Sequence, residues 1–204
     1  MRVAFLPTLL WASISIGASA QPVISPRQAT ITHLEGKVYL DGRAVQSSNS
    51  EHLNITESFI MRTEDGRAEV LLSPSVTVRL GENGSFRTIN NRPGDTRIEV
   101  LIGPVVVLTG EIANDNKITV ICEDAVTLSS LGAYRFDNRH YEDIGQNFCG
   151  FKVYKGTAEV QLQSLKILLD RGRVMDLNRG CGDHIQVNKF EMDELLTRCG
   201  RRPE

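Results

Sequence analysis

The chain of 204 residues is poor in aromatic side chains, at 6%, and holds a single tryptophan, Trp11. So few rings leave no stacking platform for bases or sugars. An excess of one charge is also missing. Lys and Arg number 23 against 25 Asp and Glu, for a formal net charge of −2. No basic field exists to attract a polyanion, so nucleic-acid binding is not expected. Beyond residue 20 no run is apolar enough to cross a bilayer. Phosphate loops of the GxxxxGK[ST] kind, Gly-x-Ser-x-Gly elbows and Ser-x-x-Lys pairs do not occur. CxxC knuckles and HxH or HxxxH spacings are absent too, which argues against a local zinc site.

What is present begins with an address. Arg2 supplies a short positive region, Val3 to Gly17 are largely apolar, and Ala18-Ser19-Ala20 has the small-x-small form a signal peptidase accepts. Fifteen helical residues reach only about 22 Å, short of a hydrocarbon core of roughly 30 Å. Residues 1–20 therefore read as a signal peptide cut between Ala20 and Gln21, with an uncleaved anchor as the alternative. No membrane span is expected after cleavage, and a periplasmic or secreted location follows. Cleavage would remove the only tryptophan. Residues 21–28, with two prolines, read as a flexible lead-in.

All four cysteines, Cys122, Cys149, Cys181 and Cys199, lie in the second half. An oxidising compartment and an even count invite two disulfides. Short loops favour Cys122–Cys149 with Cys181–Cys199, although four cysteines allow three pairings. Cys122 also extends the face of Ile118 and Val120, so a buried thiol is the competing reading.

From Ala29 to Leu177 the hydrophobic period is two. Ala68, Val70 and Leu72 share a face, as do Val76, Val78 and Leu80, and then Ile98, Val100 and Ile102. Asp41-Gly42, Asp65-Gly66, Asn83-Gly84 and Pro93-Gly94 punctuate the strands, and Asn114-Asp115-Asn116 reads as a hairpin tip. No helix of ten residues fits between them, which excludes the doubly wound folds. The fold expected is mainly β: a solenoid-like or sandwich-like antiparallel domain of many short strands over 29–187. A short C-terminal helix and tail are expected over 188–204, with Phe190, Leu195, Leu196 and Cys199 on one stripe. The segments Gly66–Leu72 and Gly156–Leu162 agree at five of seven positions, which suggests either a repeated unit or convergence of two similar strands.

Gly36-Lys37-Val38, the Thr63–Ala68 stretch read as a Thr-x-x-Gly-x-Ala hairpin, and Leu80 to Asn83 follow one another in an order that resembles the FecR-type domain of exported bacterial proteins. The stretches TRIEVLIGPVVVL and ITVICEDAVTLSSLGAYRFD resemble that family's later strands, and KFEMDELL the terminal helix of a subgroup. The likeness spans about residues 29–196. It implies an all-β exported domain. In the best-known members this domain follows a retained membrane helix and a cytoplasmic segment that binds a sigma factor, and it receives a signal from an outer-membrane transporter. A leader peptide stands in that place here, so sigma-factor binding is not expected of this chain. The segment His140–Gly150 and the cysteines also depart from the family's pattern.

No catalytic constellation emerges. The pairs Glu64-Asp65, Glu123-Asp124 and Glu142-Asp143 are adjacent residues, which on a strand point to opposite faces and in turns are solvated. His33, His52, His140 and His184 are scattered. No catalytic, cofactor-binding or metal-ligating residue is expected, and no cofactor. The expected role is a non-enzymatic β domain that engages an unknown protein or cell-envelope component through a sheet face or edge. The alternative is a ligand- or glycan-binding barrel whose pocket gathers distant residues such as His33, His140 and His184. A structural spacer is a third reading.

Overall fold

The alternating side chains fold as their spacing dictates. In the computed structural model, which describes residues 29–46, 54–55, 58–92, 94–111, 116–129, 131–141, 146–162 and 165–177, Ala68, Val70, Leu72, Val76, Val78 and Leu80 are all buried. The residues between them face outward. Strands of this kind have one dry face and one wet face, and they must stack to hide the dry one.

Sixteen strands form among the described residues. The first eight are β1 (Ala29–Glu35), β2 (Val38–Leu40), β3 (Arg43–Val45), β4 (Asn54–Ile55), β5 (Ile60–Thr63), β6 (Arg67–Ser73), β7 (Val76–Leu80) and β8 (Ser85–Arg92). Then come β9 (Asp95–Thr109), β10 (Lys117–Cys122), β11 (Asp124–Leu128), β12 (Ala133–Tyr141), β13 (Gln146–Lys155), β14 (Thr157–Leu162), β15 (Leu165–Asp170) and β16 (Val174–Asp176).

Their pairing defines two sheets that share β9. Sheet I runs β4-β1-β6-β7-β9-β12-β13-β16 and is antiparallel throughout. Sheet II runs β3-β2-β5-β8-β9-β10-β11-β14-β15. Its one parallel neighbour pair is β9 with β10. The buried faces of both sheets join in a single hydrophobic cluster that includes Val78, Val107, Phe136 and Phe151 from sheet I, and Phe86, Ile98, Val120 and Val160 from sheet II.

That parallel pair reveals the shape of β9. Lys117 lies beside Asp95, at the start of β9, yet it follows Thr109, at its end, by eight residues. A straight strand from 95 to 109 would be about 46 Å long, whereas the connection reaches at most about 28 Å. β9 must therefore bend back. Its first part pairs in sheet II and its second part, from Gly103, pairs in sheet I. Leu101 is the extra residue of a bulge at the bend, between the Phe86–Val100 and Ser85–Ile102 pairs. The bulge inverts the alternation, which is why Ile102, expected on the inward face, is 46% exposed.

Crossings between sheets stack into columns. Gly36, Asp65-Gly66, Asn83-Gly84 and Gly103 mark four crossings that neighbour one another in space. Glu64 N–H donates to Lys37 O (3.1 Å) and Asn83 N–H donates to Glu64 O (2.8 Å), tying neighbouring crossings together. Gly103 has φ +73°, and a Cβ there would sit 2.2 Å from Asn83 O. The Thr63–Ala68 segment is thus a crossing, not the hairpin expected, because β5 and β6 belong to different sheets. Residues 112–115, which hold most of the expected Asn114-Asp115-Asn116 hairpin tip, lie outside the described residues; the flanking strand ends, Thr109 and Lys117, pair in different sheets. Asp41-Gly42 is a true hairpin turn, with φ of 49° and 76°.

A threonine closes each kind of column. Thr63 Oγ1 donates to Gly81 O (2.5 Å) and accepts from Gly84 N–H (2.9 Å). Thr109 Oγ1 donates to Ser129 O (2.7 Å) and accepts from Gly132 N–H (2.8 Å). The surrounding sequences, Val78-x-Leu80-x-x-x-Gly84-x-Phe86-Arg87 and Val126-x-Leu128-x-x-x-Gly132-x-Tyr134-Arg135, match as well. This is the internal repeat that the structure supports. One copy crosses from sheet I to sheet II and the other crosses back. The Gly66–Leu72 and Gly156–Leu162 echo, by contrast, consists of two similar strands in different sheets.

The disulfide joins Cys122 of sheet II to Cys149 of sheet I with Cα atoms 6.0 Å apart. It is the shorter-loop pairing, and both residues are buried as a disulfide, so the buried-thiol reading of Cys122 does not hold. Cys181, Cys199, Ala20, Gln21, the 21–28 lead-in and the expected C-terminal helix lie outside the described residues. Among the described residues no helix is long and apolar enough to cross a membrane.

The glycines give a test. Gly42 has φ +76° and open space around it, whereas Gly103 combines φ +73° with backbone contact. Gly42→Ala is expected to cost about 1 kcal/mol, and Gly103→Ala about 3 kcal/mol or more, by chemical denaturation. Equal costs at the two positions would mean that the bend in β9 is not under this constraint.

Candidate functional site

Among the described residues the paired carboxylates do not converge. Glu64 and Asp65 sit at a crossing, where Lys37 lies 3.9 and 3.7 Å from them and Arg62 lies 3.3 Å from Glu64, all substantially exposed. Glu123 occupies the turn between β10 and β11 with φ 65°. Asp124 beside it has its carboxyl pushed above the usual range, first by partial burial and then by the Glu123 charge. Glu142 and Asp143 lie outside the described residues.

Nor do the two described histidines meet. His33 on β1 pairs with Glu69 of β6. Counting across sheet I, the register runs Glu69–Arg79–Val106–Arg135, and His140 lies five residues beyond Arg135 on β12. Four interstrand steps and five residues of rise separate His33 from His140 by about 20 Å or more. His52 and His184 lie outside the described residues. Among the described residues no three His, Cys, Asp or Glu side chains are grouped to hold a metal ion.

The outer face of sheet I carries a transverse polar row. Thr32 Oγ1 donates to Glu69 Oε1 (2.7 Å), and Arg79 Nε donates to Glu69 Oε2 (2.6 Å). Arg135 grips Asp137 through Nε (3.0 and 2.9 Å) and Nη2 (2.8 Å), two residues along the same strand face. Val106 lies between the two arginines and is fully buried even though it faces outward. Arginine stems cover apolar surface in this way while their heads stay polar. Burial pushes the Tyr154 hydroxyl up, with the nearby Arg135 opposing it. Of these ion pairs, Glu69–Arg79 links two strands and stabilises the sheet, whereas Arg135–Asp137 lies along a single strand.

Two buried asparagines bind backbone across the layers. Asn91 Nδ2 donates to Leu72 O (2.7 Å), and Asn138 Nδ2 donates to Val100 O (3.0 Å) and Leu101 O (3.2 Å). Both targets lie at bulges, where a carbonyl loses its ladder partner. Tyr134 plays a related part, its hydroxyl donating to Thr157 O (2.7 Å). Burial raises its pKa and the hydrogen bonds to Ser129 lower it, with burial the larger. Neither sequence periodicity nor motif identifies these residues, because the carbonyls they serve are made needy by tertiary structure.

Among the described residues both sheets end in strands with one edge unpaired by another strand. Sheet I ends in β4, of two residues, and β16, of three. Beyond β4, β1 is bulged between Ile31 and His33, which spoils it as a template. Sheet II ends in β3, also of three residues, and in β15, of six. Very short, bulged edges are the common defence against strand addition. β15 lacks that defence, and its Leu168 is 67% exposed, the highest value among the large exposed apolar side chains. The sequence alone points to sheet edges in general and does not single out LKILLD. Its apolar character reads as a buried strand until its place at the end of the sheet is known.

No family model matches the chain, and no curated protein matches it in sequence. Among solved structures it is similar to two crystal structures of a candidate anti-sigma factor from Parabacteroides distasonis ATCC 8503. For the one at 2.50 Å resolution the TM-score is 0.48 at 13% identity, covering 64% of this chain and 60% of that chain. For the one at 1.65 Å the TM-score is 0.46 at 13% identity, covering 62% and 57%. This chain thus spans somewhat under two thirds of the length of those neighbours.

The raised Asp124 carboxyl has a pH consequence. A folded-state pKa above the unfolded one favours folding below about pH 4 and loses that contribution as pH rises through the folded value. Asp124→Asn is therefore expected to raise the melting temperature at pH 7 and to leave it unchanged near pH 3. A variant less stable than wild type at pH 7 would contradict the charge argument.

Proposed function

We propose that this chain is an exported, non-enzymatic β domain of the FecR type, serving recognition in the cell envelope, possible partners being a protein or other envelope component that adds to an unpaired sheet edge. The observation that carries this reading is β15, a six-residue strand with exposed Lys166, Leu168 and Asp170 at the end of sheet II. Strand addition draws its affinity from main-chain hydrogen bonds and demands few special side chains. A protein working in this way needs no motif, and the sequence offers none. The charged groups of sheet I support the same view, since Glu69, Arg79, Arg135 and Asp137 are engaged with one another in the sheet's own framework. The leader at residues 1–20 supports export, with Gln21 as the mature N-terminus. Of the histidines that motivate the glycan-pocket alternative, His33 and His140 stand on strands far apart, and His184 lies outside the described residues.

Expression with the leader in a Gram-negative host, with a photo-crosslinking amino acid at position 168 or 82, tests the reading. Position 82 is exposed at a crossing, away from the edge. The expected result is a periplasmic protein that starts at Gln21, lacks tryptophan fluorescence and crosslinks to other polypeptide from position 168 but not from position 82. Retention of residues 1–20 in the membrane, or equal crosslinking from both positions, would contradict it.

A further inference from the structure

We infer that the open edge of β15 is self-complementary and that two copies of this chain pair there, antiparallel, about a two-fold axis through Leu168. The inference rests on the edge-binding reading above and names its occupant.

Backbone direction comes first. β14 and β15 pair antiparallel, with Leu162 opposite Leu165, then Val160 opposite Ile167 and Ala158 opposite Leu169. On the other side of β14, Thr157 O accepts from Ser129 N–H (3.0 Å), so residue 157 faces β11. Hydrogen-bonding direction alternates along a strand. Residues 158, 160 and 162 therefore turn toward β15, and 165, 167 and 169 turn back to them. The N–H and C=O groups of Lys166, Leu168 and Asp170 point off the open edge.

Register comes second. In an antiparallel pair, opposed residues share a face, so edge-facing residues must oppose edge-facing residues. With 168 opposite its own copy, Lys166 opposes Asp170 on one side and Asp170 opposes Lys166 on the other. Slipping by two residues in either direction sets Lys166 or Asp170 against Leu168 and leaves one end unpaired. The central register alone matches charge with charge and leucine with leucine. Lys166 Nζ already lies on the outer face, 2.8 Å from Glu159 Oε1 of β14, so its ammonium is placed beside the incoming Asp170. On the inner face the same register sets Ile167 against Leu169, and Ile167 packs against the core.

The bonds follow from the geometry. Leu168 gives and receives one bond across the axis, and Lys166 O accepts from Asp170 N–H at each end. Asp170 O already accepts from Arg173 N–H (3.2 Å) in the following turn, so four bonds form without disturbing it. Six residues a side make a small interface, in the class of weak, concentration-dependent association. The isologous arrangement closes as a dimer and cannot propagate.

The test is charge reversal in the full mature chain, followed by sedimentation over a range of concentrations, with circular dichroism and melting to confirm folding. Wild type is expected to move from monomer to dimer as concentration rises. Lys166→Asp opposes Asp to Asp twice, and Asp170→Lys opposes Lys to Lys twice, so each weakens association by about tenfold or more. The double variant restores the pairing. Mixing the two single variants also restores it, as a heterodimer. Leu168→Lys places like charges on the axis and gives a monomer. A wild type that stays monomeric at all concentrations, or folded single variants that dimerise as wild type does, overturns the inference. In the former case, crosslinking of position 168 to another envelope protein leaves the edge-binding reading standing with a different partner. Crosslinking to residues 178–204 of the same chain removes both.

Discussion

One strand must serve two sheets, and most of the architecture follows from that. β9 contributes Ile98 and Val100 to one layer and Val105 and Val107 to the other, and all four side chains are buried in the common core. A continuous strand can do this only by bending sharply, and the bend falls at Leu101 to Gly103, where a bulge and a left-handed glycine coincide. The neighbouring crossings at Gly36 and Gly66 approach each other so closely that side chains are excluded. Thr63 and Thr109 then supply hydroxyls where the turning backbone leaves carbonyl and amide groups short of partners. The Cys122–Cys149 bond clamps the two layers again farther along the chain.

Much of this was legible in the sequence, for definite reasons. Period-two alternation in RAEVLL, SVTVRL and KITVIC is a local property, and each of those segments is a strand with the expected inward face. The shorter disulfide loop was preferred on chain length, and that bond is present. Pairing partners were not legible, because they depend on which residues meet after the chain crosses between layers. Asp65-Gly66 and Asp41-Gly42 look alike in sequence, yet one is a crossing and the other a hairpin. The single parallel pair escaped notice for the same reason. Ile102 was assigned inward because nothing local announces the bulge at Leu101. Asn91 and Asn138 could not be found at all without the carbonyls that they reach.

The recognition surface was legible only in kind. Sparse motifs and a leader peptide suggested a binding domain that acts outside the cytoplasm, and that remains the proposal. Which backbone is open depends on strand order, so LKILLD gains its meaning from standing last in sheet II. The polar groups most conspicuous in sequence, the paired acids and the histidines, turn out to be solvated or held in framework ion pairs, or to lie outside the described residues. Side chains set the register and cover the faces.

Native-state hydrogen exchange along β9 tests the central claim most directly. If the bent strand welds both layers into one cooperative unit, the amides of Ile98, Val100, Val105 and Val107 exchange only through a common opening, with equal free energies that fall in parallel as denaturant is added. Two distinct opening energies, with the sheet II half of β9 exchanging while the sheet I half stays protected, would show that the layers fold independently and would contradict the account.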